Sequence, residues 1–286
     1  MTKPIGVFDS GVGGLTVLKE IKKMLPKENL IYLGDNARCP YGSKSADKIK
    51  SISIENSRFL LNFDVKLIVV ACNTASAVAL DTIRSNFDVP VVGVINAGVK
   101  KAIEITKNKK IGVIGTRQTI ASRAHKNLIK NLDQSIQVFT KSTPLFAPVV
   151  EEGLINKKST KMIIKENLNY FKKNNVDTLI LGCTHYPLLK DIISEYLGDV
   201  NLVDPSEETS LEIKQKLLEE HMLNKEPNVS NKIFVTDHPL NFINTSKNFL
   251  GSNLFVVEKI NLDDYLNNPI NTINFEKTKF IEGSEI

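Results

Sequence analysis

The sequence predicts an α/β protein made of two similar, open, mostly parallel-sheet domains that face each other across a cleft. Three observations carry this. Short runs rich in Ile, Val and Leu alternate with amphipathic helical segments. The runs are nearly continuous in apolar residues, as strands are when helices cover both faces of a sheet. The order of elements also repeats once along the chain.

Taken in order, "PIGVFDS" reads as a strand that opens through a Gly-rich loop into a helix. "NLIYLGD", "VKLIVVAC" and "VPVVGVI" supply three more strands of the first half. "KKIGVIGT", "IQVFT", "DTLILGC" and "VNLVDPS" supply those of the second, and "KIFVT" follows later. The opening strand–loop–helix has its counterpart in "KIGVIGTRQTIASRAHKNLI", at an offset of 106 residues from Ile5 to Ile111. Two strands that end on cysteine, at Cys72 and Cys183, are offset by a similar 111. The boundary is placed near Asn96-Ala97-Gly98, with a return near Asp204-Pro205-Ser206. Residues 1–97 with about 207–266 would form a discontinuous first domain, 98–206 the second, and the polar segment 267–286 a C-terminal extension.

Composition narrows the function classes. With 286 residues, 42% hydrophobic and 24% charged, the chain has the profile of an ordinary globular protein with an ample core. No apolar run approaches the roughly 20 residues of a membrane span. The N-terminus lacks the apolar region of a signal peptide, which predicts a cytoplasmic protein. The net charge of +5 is spread over helix faces, as in "KEIKKMLPKE", without an Arg-rich, aromatic-interleaved stripe. A solvated surface is favoured, and no nucleic-acid partner is required. Three widely spaced cysteines make neither a disulfide framework nor a CxxC zinc pair.

Polar residues gather where ligands bind in such folds, beyond the carboxyl ends of the strands. They are Asp9 and Ser10, Asp35 and Asn36, Cys72 to Thr74, Thr116, and Cys183 to His185. A lone strand-end cysteine is usually packing. Two in matching repeat positions, each followed by hydrogen-bonding residues, suit proton transfer on both faces of one carbon. A helix start at each cysteine would favour the thiolate and lower its pKa. "DSGVGGLT" is neither a P-loop nor a dinucleotide fingerprint, since Thr16 stands where the last glycine belongs. It is either a tight turn or, given the Asp-Ser pair, a cradle for a small carboxylate. His185, two residues from Cys183, either orients that thiol or is satisfied inside the fold. His125, His221 and His238 have no such neighbour and are assigned to surface or packing. Zinc held by Cys183, His185 and other cysteines is an alternative with little signal. Glu151 and Glu152 follow an apolar run and precede a glycine; such a pair marks either a solvated turn or, with one of them reaching a cleft, a carboxylate that tunes a base.

These stretches resemble the glutamate racemase family, cofactor-independent enzymes of the aspartate/glutamate racemase superfamily. The resemblance rests on "IGVFDSGVGGLTVL", "YLGDNARCPYG", "ACNTASA", "GVIGTRQTIAS", "TPLFAPVVEEG" and "LGCTHYPLL", and "IFVTDHPLNFINTSKNFLG" extends it to about residue 251. It implies isomerisation of L- and D-glutamate by two-base proton transfer, supplying D-glutamate for peptidoglycan. It makes Cys72 and Cys183 the acid/base pair, Cys72 acting on the D-enantiomer and Cys183 on the L-enantiomer. Asp9 and His185 assist, with Glu151 a further participant. Ser10, Tyr41, Gly42, Asn73, Thr74, Thr116 and Thr184 would hold the substrate together with Asp9 and His185. Asp35 is supporting and Cys39 structural. The resemblance further implies no cofactor, no metal and a homodimer. Nothing in the sequence marks a Schiff-base lysine with a phosphate cup. Aspartate racemase and a non-catalytic ligand-binding protein are the rival readings. The Tyr41-Gly42 loop favours glutamate over the first, and the presence of both cysteines argues against the second.

Overall fold

Strands form where aliphatic and β-branched residues run without interruption. The first four, β1 (Ile5–Asp9), β2 (Leu30–Gly34), β3 (Leu67–Val70) and β4 (Val91–Gly93), are buried at every position. Helices α1 (Leu15–Met24), α2 (Ala46–Leu61), α3 (Asn73–Asn86) and α4 (Val94–Ile105) cover them. In the next stretch β5 (Lys110–Gly115), β6 (Gln137–Ser142), β7 (Thr178–Gly182) and β8 (Asn201–Val203) form a second sheet. Its order is β6-β5-β7-β8, parallel throughout. Its helices are α5 (Arg117–Ala121), α6 (Ala124–Leu132), α7 (Phe146–Glu151), α8 (Lys158–Lys173) and α9 (Lys190–Leu197).

The chain then returns. α10 (Pro205–Glu219) starts on Asp204, whose side chain accepts from the Ser206 N–H at 2.9 Å. β9 (Lys232–Val235) pairs with β2, and after α11 (Pro239–Leu250), β10 (Val257–Lys259) pairs with β9, both parallel. α12 (Leu262–Asn267) follows, and β11 (Glu276–Thr278) closes the edge antiparallel to β10. The first sheet therefore has the order β11-β10-β9-β2-β1-β3-β4. This is a computed structural model describing residues 3–225, 230–250, 256–267 and 276–278. The rest of the C-terminal extension lies outside the described residues. Among the described residues, no helix is long and apolar enough to cross a membrane.

Three expectations about elements change. The strand expected over "VPVVGVI" ends at Gly93, and Asn96-Ala97-Gly98 lie inside α4 rather than in a connection. Val94, Ile95, Gly98, Val99 and Ala102 are buried at helical spacing, so the β-branched run fits either period and tertiary packing decides. Cys183 does not start an α-helix. A 3-10 turn, Tyr186–Leu189, with Pro187 in its first positions, separates it from α9. The strands β10 and β11 were not expected, because three-residue strands carry too little periodicity to read.

One core cluster joins both sheets. It runs from Ile5, Val7, Leu67 and Val69 through Ile213 and Leu217 of α10 to Leu179, Leu181 and Phe171. A second cluster lies under α2 and α3, and a third between the second sheet and α4 with α6. At the opposite end of the first sheet from the cysteines, a buried Lys66–Glu28 ion pair at 2.6 Å ties down the segment after α10. Lys66 Nζ also donates to Met222 O (2.6 Å) and Asn224 Oδ1 (2.9 Å). His125 is buried in α6 with neither ring nitrogen hydrogen-bonded among the described residues. Burial pushes its pKa down to about 4. His221 and His238 are exposed.

Candidate active site

The carboxyl ends of the two sheets bring the polar residues together. β1 ends on Asp9 and its neighbour β3 runs into Cys72, which is the N-cap of α3. β5 and β7 pair through Gly115 and Gly182, so Thr116 and Cys183 leave adjacent strands. Between the two ends lies a cavity of about 490 Å³. One wall carries Ser10, Tyr41, Gly42, Cys72, Asn73 and Thr74, and the other carries Thr116, Glu151, Cys183, Thr184 and His185. The size and concavity are those of a small-molecule site.

Close backbone approach holds the two walls together. A Cβ at Gly13 would lie 2.6 Å from His185 Nδ1 and overlap Thr184. A Cβ at Gly42 would lie 2.6 Å from the Cβ of Thr116. Both positions therefore exclude any larger residue. Thr16 Oγ1, adjoining the same loop, donates to Thr184 O at 3.1 Å. Across the cavity floor, Thr74 Oγ1 lies 2.9 Å from Thr116 Oγ1 and 3.1 Å from Thr119 Oγ1.

Three N–H groups of the Gly-rich loop turn to its own aspartate. Gly11 N donates to Asp9 Oδ2 at 3.0 Å, and the backbones of Gly14 and Ser10 also bond that carboxylate. The loop cradles its own aspartate. Asp9 is wholly buried and does not line the cavity. Burial raises its pKa, opposed by the His185 charge and those three backbone donors.

The cysteines have different surroundings. Cys72 Sγ reaches Ser10 Oγ at 3.8 Å. Its pKa is pushed up to about 12, by burial first and then by the Asp9 charge, with the Ala75 N–H and Ser10 opposing. The helix start was expected to lower it, but desolvation of a thiolate outweighs one turn of backbone dipoles. Cys183 Sγ lies 3.7 Å from His185 Nδ1, and His185 Nε2 lies 2.7 Å from Glu151 Oε1. Burial alone would lower the His185 pKa. Hydrogen bonds to Cys183 and Glu151, with the charges of both, raise it instead to about 10. These contacts favour the imidazolium form of His185.

Tyr41 is fixed from behind. Its hydroxyl donates to Asp35 and accepts from Asn56 Nδ2 at 2.9 Å. Arg38 Nε holds both Asp35 oxygens, at 3.0 and 2.8 Å. Asp35 thus supports the Tyr41 loop without lining the cavity. Cys39 does line it, although burial raises its pKa and no hydrogen bond to it from another side chain is seen among the described residues. Asn73 Oδ1 is buried at the cavity without a partner among the described residues. The sequence reading missed Arg117, Ser43, Pro144, Ala147 and Pro148, which also line the cavity. For Arg117 the available signal was its place directly after Thr116.

Comparison with known proteins gives one consistent family. A family model described as Asp/Glu/Hydantoin racemase matches residues 5–209. The glutamate racemase of Geobacter metallireducens is 45% identical over 263 residues, covering 91% of this chain and 97% of that protein. The crystal structure of a glutamate racemase from Bacillus anthracis superposes with a TM-score of 0.88 at 41% identity, covering 91% and 98% of the two chains. That of a glutamate racemase from Francisella tularensis in complex with D-glutamate superposes at 0.87 and 40% identity, covering 92% and 99%.

Proposed function

We propose, from the premise that this chain belongs to the Asp/Glu/Hydantoin racemase family, that it interconverts L- and D-glutamate by proton transfer at the α-carbon without a cofactor. The observation that carries the mechanism is that Cys72 and Cys183, supplied by opposite walls, line one cavity. In this reading residues 1–97 with about 207–266 supply Cys72, and residues 98–206 supply Cys183.

With L-glutamate bound, Cys183 takes the α-proton and the Cys72 thiol delivers one to the opposite face. D-glutamate leaves, with the protonation states of the two sulfurs exchanged. The α-proton is a very weak acid, so the carbanion needs charge stabilisation from preorganised donors in a water-poor site. The side-chain N–H2 of Asn73, which lines the cavity, can donate for that task, with the hydroxyls of Thr74, Thr116, Thr184 and Ser10. Tyr41 and Gly42 hold the far end of the substrate. The His185 imidazolium, steadied by Glu151, supports negative charge on Cys183. Asp9, sealed beneath Ser10 and near Cys72, acts on that thiol through its charge.

We place the enzyme in the cytoplasm, as a homodimer supplying D-glutamate for peptidoglycan. The test is polarimetry or circular dichroism of L-glutamate with purified, dialysed protein and no added cofactor. Loss of the L-signal to zero rotation is expected. An unchanged signal, or turnover of aspartate in preference to glutamate, overturns the assignment.

A further inference from the structure

The polar groups of the cavity are mostly committed to protein partners. His185 is held by Glu151 and Cys183, the Tyr41 hydroxyl by Asp35 and Asn56, and the threonine hydroxyls by one another. Arg117 is not. It is the lining residue with a fixed positive charge, it is exposed, and it has no hydrogen bond or ion pair among the described residues. It is the first residue of α5, directly after Thr116, whose side chain packs on Gly42. Its guanidinium is therefore rooted at the seam where the Tyr41–Ser43 turn of one wall meets α5 of the other.

We propose that Arg117 binds the side-chain carboxylate of the substrate and so selects acidic amino acids over their amides. The proposal rests on the racemase reading above. An amino acid with its α-carbon between Cys72 and Cys183 presents its α-carboxylate to the Asn73 amide. The side chain then extends away from the sulfurs, toward the seam. A second carboxylate arriving there meets a planar fork of N–H donors of matching shape and opposite charge. The other charged group on the rim, Glu151, has its carboxylate turned to His185. Being exposed and unpaired, the guanidinium also attracts a substrate of net negative charge before contact, an effect that salt weakens.

The experiment compares wild type, Arg117→Gln and Arg117→Lys. Calorimetry measures binding of glutarate and of its half-amide glutaramate, two unreactive ligands that differ by one carboxylate. Arg117→Gln should weaken glutarate about tenfold and change glutaramate less than twofold, and Arg117→Lys, which keeps the charge but not the fork, should recover only part of the loss. In racemisation assays KM for glutamate should rise about tenfold with kcat held, and the fall of kcat/KM with added salt should flatten. Equal losses for the two ligands, no loss for either, no binding of glutarate by the wild type, or a fall in kcat without a rise in KM would each overturn the assignment of Arg117. The binding pattern with no turnover of glutamate by the wild type would instead overturn the racemase reading and leave the carboxylate site standing.

Discussion

Glu151→Gln keeps the shape of the side chain and an oxygen to accept from His185 but removes the charge. His185 Nε2 lies 2.7 Å from Glu151 Oε1, and its pKa of about 10, against 6.5 for a free imidazole, is raised jointly by Cys183 and Glu151. Glu151 is 39% exposed, so solvent screens its share. About 1.4 kcal/mol is a fair discounted value for the charge, equivalent to about tenfold in a rate that depends on the imidazolium. Racemisation cannot report which face is affected, because two enantiomers of equal free energy tie kcat/KM in both directions together. Elimination of HCl from the isomers of β-chloroglutamate can, since it needs only the abstracting base. Glu151→Gln should slow elimination from the L-isomer about tenfold and from the D-isomer less than twofold, measured as chloride release at pH 8. Racemisation should slow equally in both directions. Equal slowing of elimination from both isomers, or from neither, would show that Glu151 does not act through Cys183.

Cys72→Ala and Cys183→Ala should each abolish racemisation with circular dichroism unchanged, whereas Cys39→Ala should keep substantial activity; a polarimetric rate near wild type in either of the first two sinks the two-thiol mechanism. Glu28→Ala leaves the Lys66 ammonium buried without its carboxylate, so urea denaturation should show a loss of about 3 kcal/mol with kcat retained, and a change below about 0.5 kcal/mol would contradict that reading of the pair. His125 takes up a proton near pH 6.5 when unfolded but only near 4 when folded. Its contribution is therefore fully present above pH 6.5 and is lost as pH falls toward 4, by at most roughly 3 kcal/mol. Urea midpoints at pH 7.5 and 4.5 should diverge for the wild type and much less for His125→Phe; equal divergence would assign the acid sensitivity to other groups.

The sequence made legible what depends on local pattern. Continuous apolar strands, the repeat of element order and the paired cysteines predicted two parallel-sheet units and gathered the polar strand ends. Every candidate substrate-binding residue except Asp9 lines one cavity. What stayed hidden depends on burial and on contacts between distant segments. The rise in the Cys72 pKa comes from desolvation, which no spacing encodes. The sequence left "DSGVGG" open between a tight turn and a carboxylate cradle, because the use of its glycines, admitting Thr184 and His185 from some 170 residues away, is visible only once both walls are in place. The helical phase of Val94–Ile105 was masked by β-branched residues that suit a strand equally well.

The two sides of the site face a symmetrical task with unlike tools. Cys183 looks onto a cation, while Cys72 lies in a dry wall near a buried carboxyl and is pushed up to about 12. An unliganded thiol at Cys72 therefore stays protonated across the physiological range. That suits delivery of a proton and opposes abstraction, so work in the D-to-L direction needs an additional positive charge beside Cys72 when substrate is present. The α-ammonium of glutamate is such a charge, bonded to the very carbon that must be deprotonated. Within about 4–6 Å an opposite charge favours the ionised thiol and offsets desolvation. Basicity at Cys72 would then arise with substrate in place, leaving a resting thiol with little thiolate to oxidise. On the other side, His185 supplies that charge, held in place by Glu151. The asymmetry costs nothing in overall balance, because the equal energies of the enantiomers hold kcat/KM equal in the two directions. It decides only which protonation state waits for substrate.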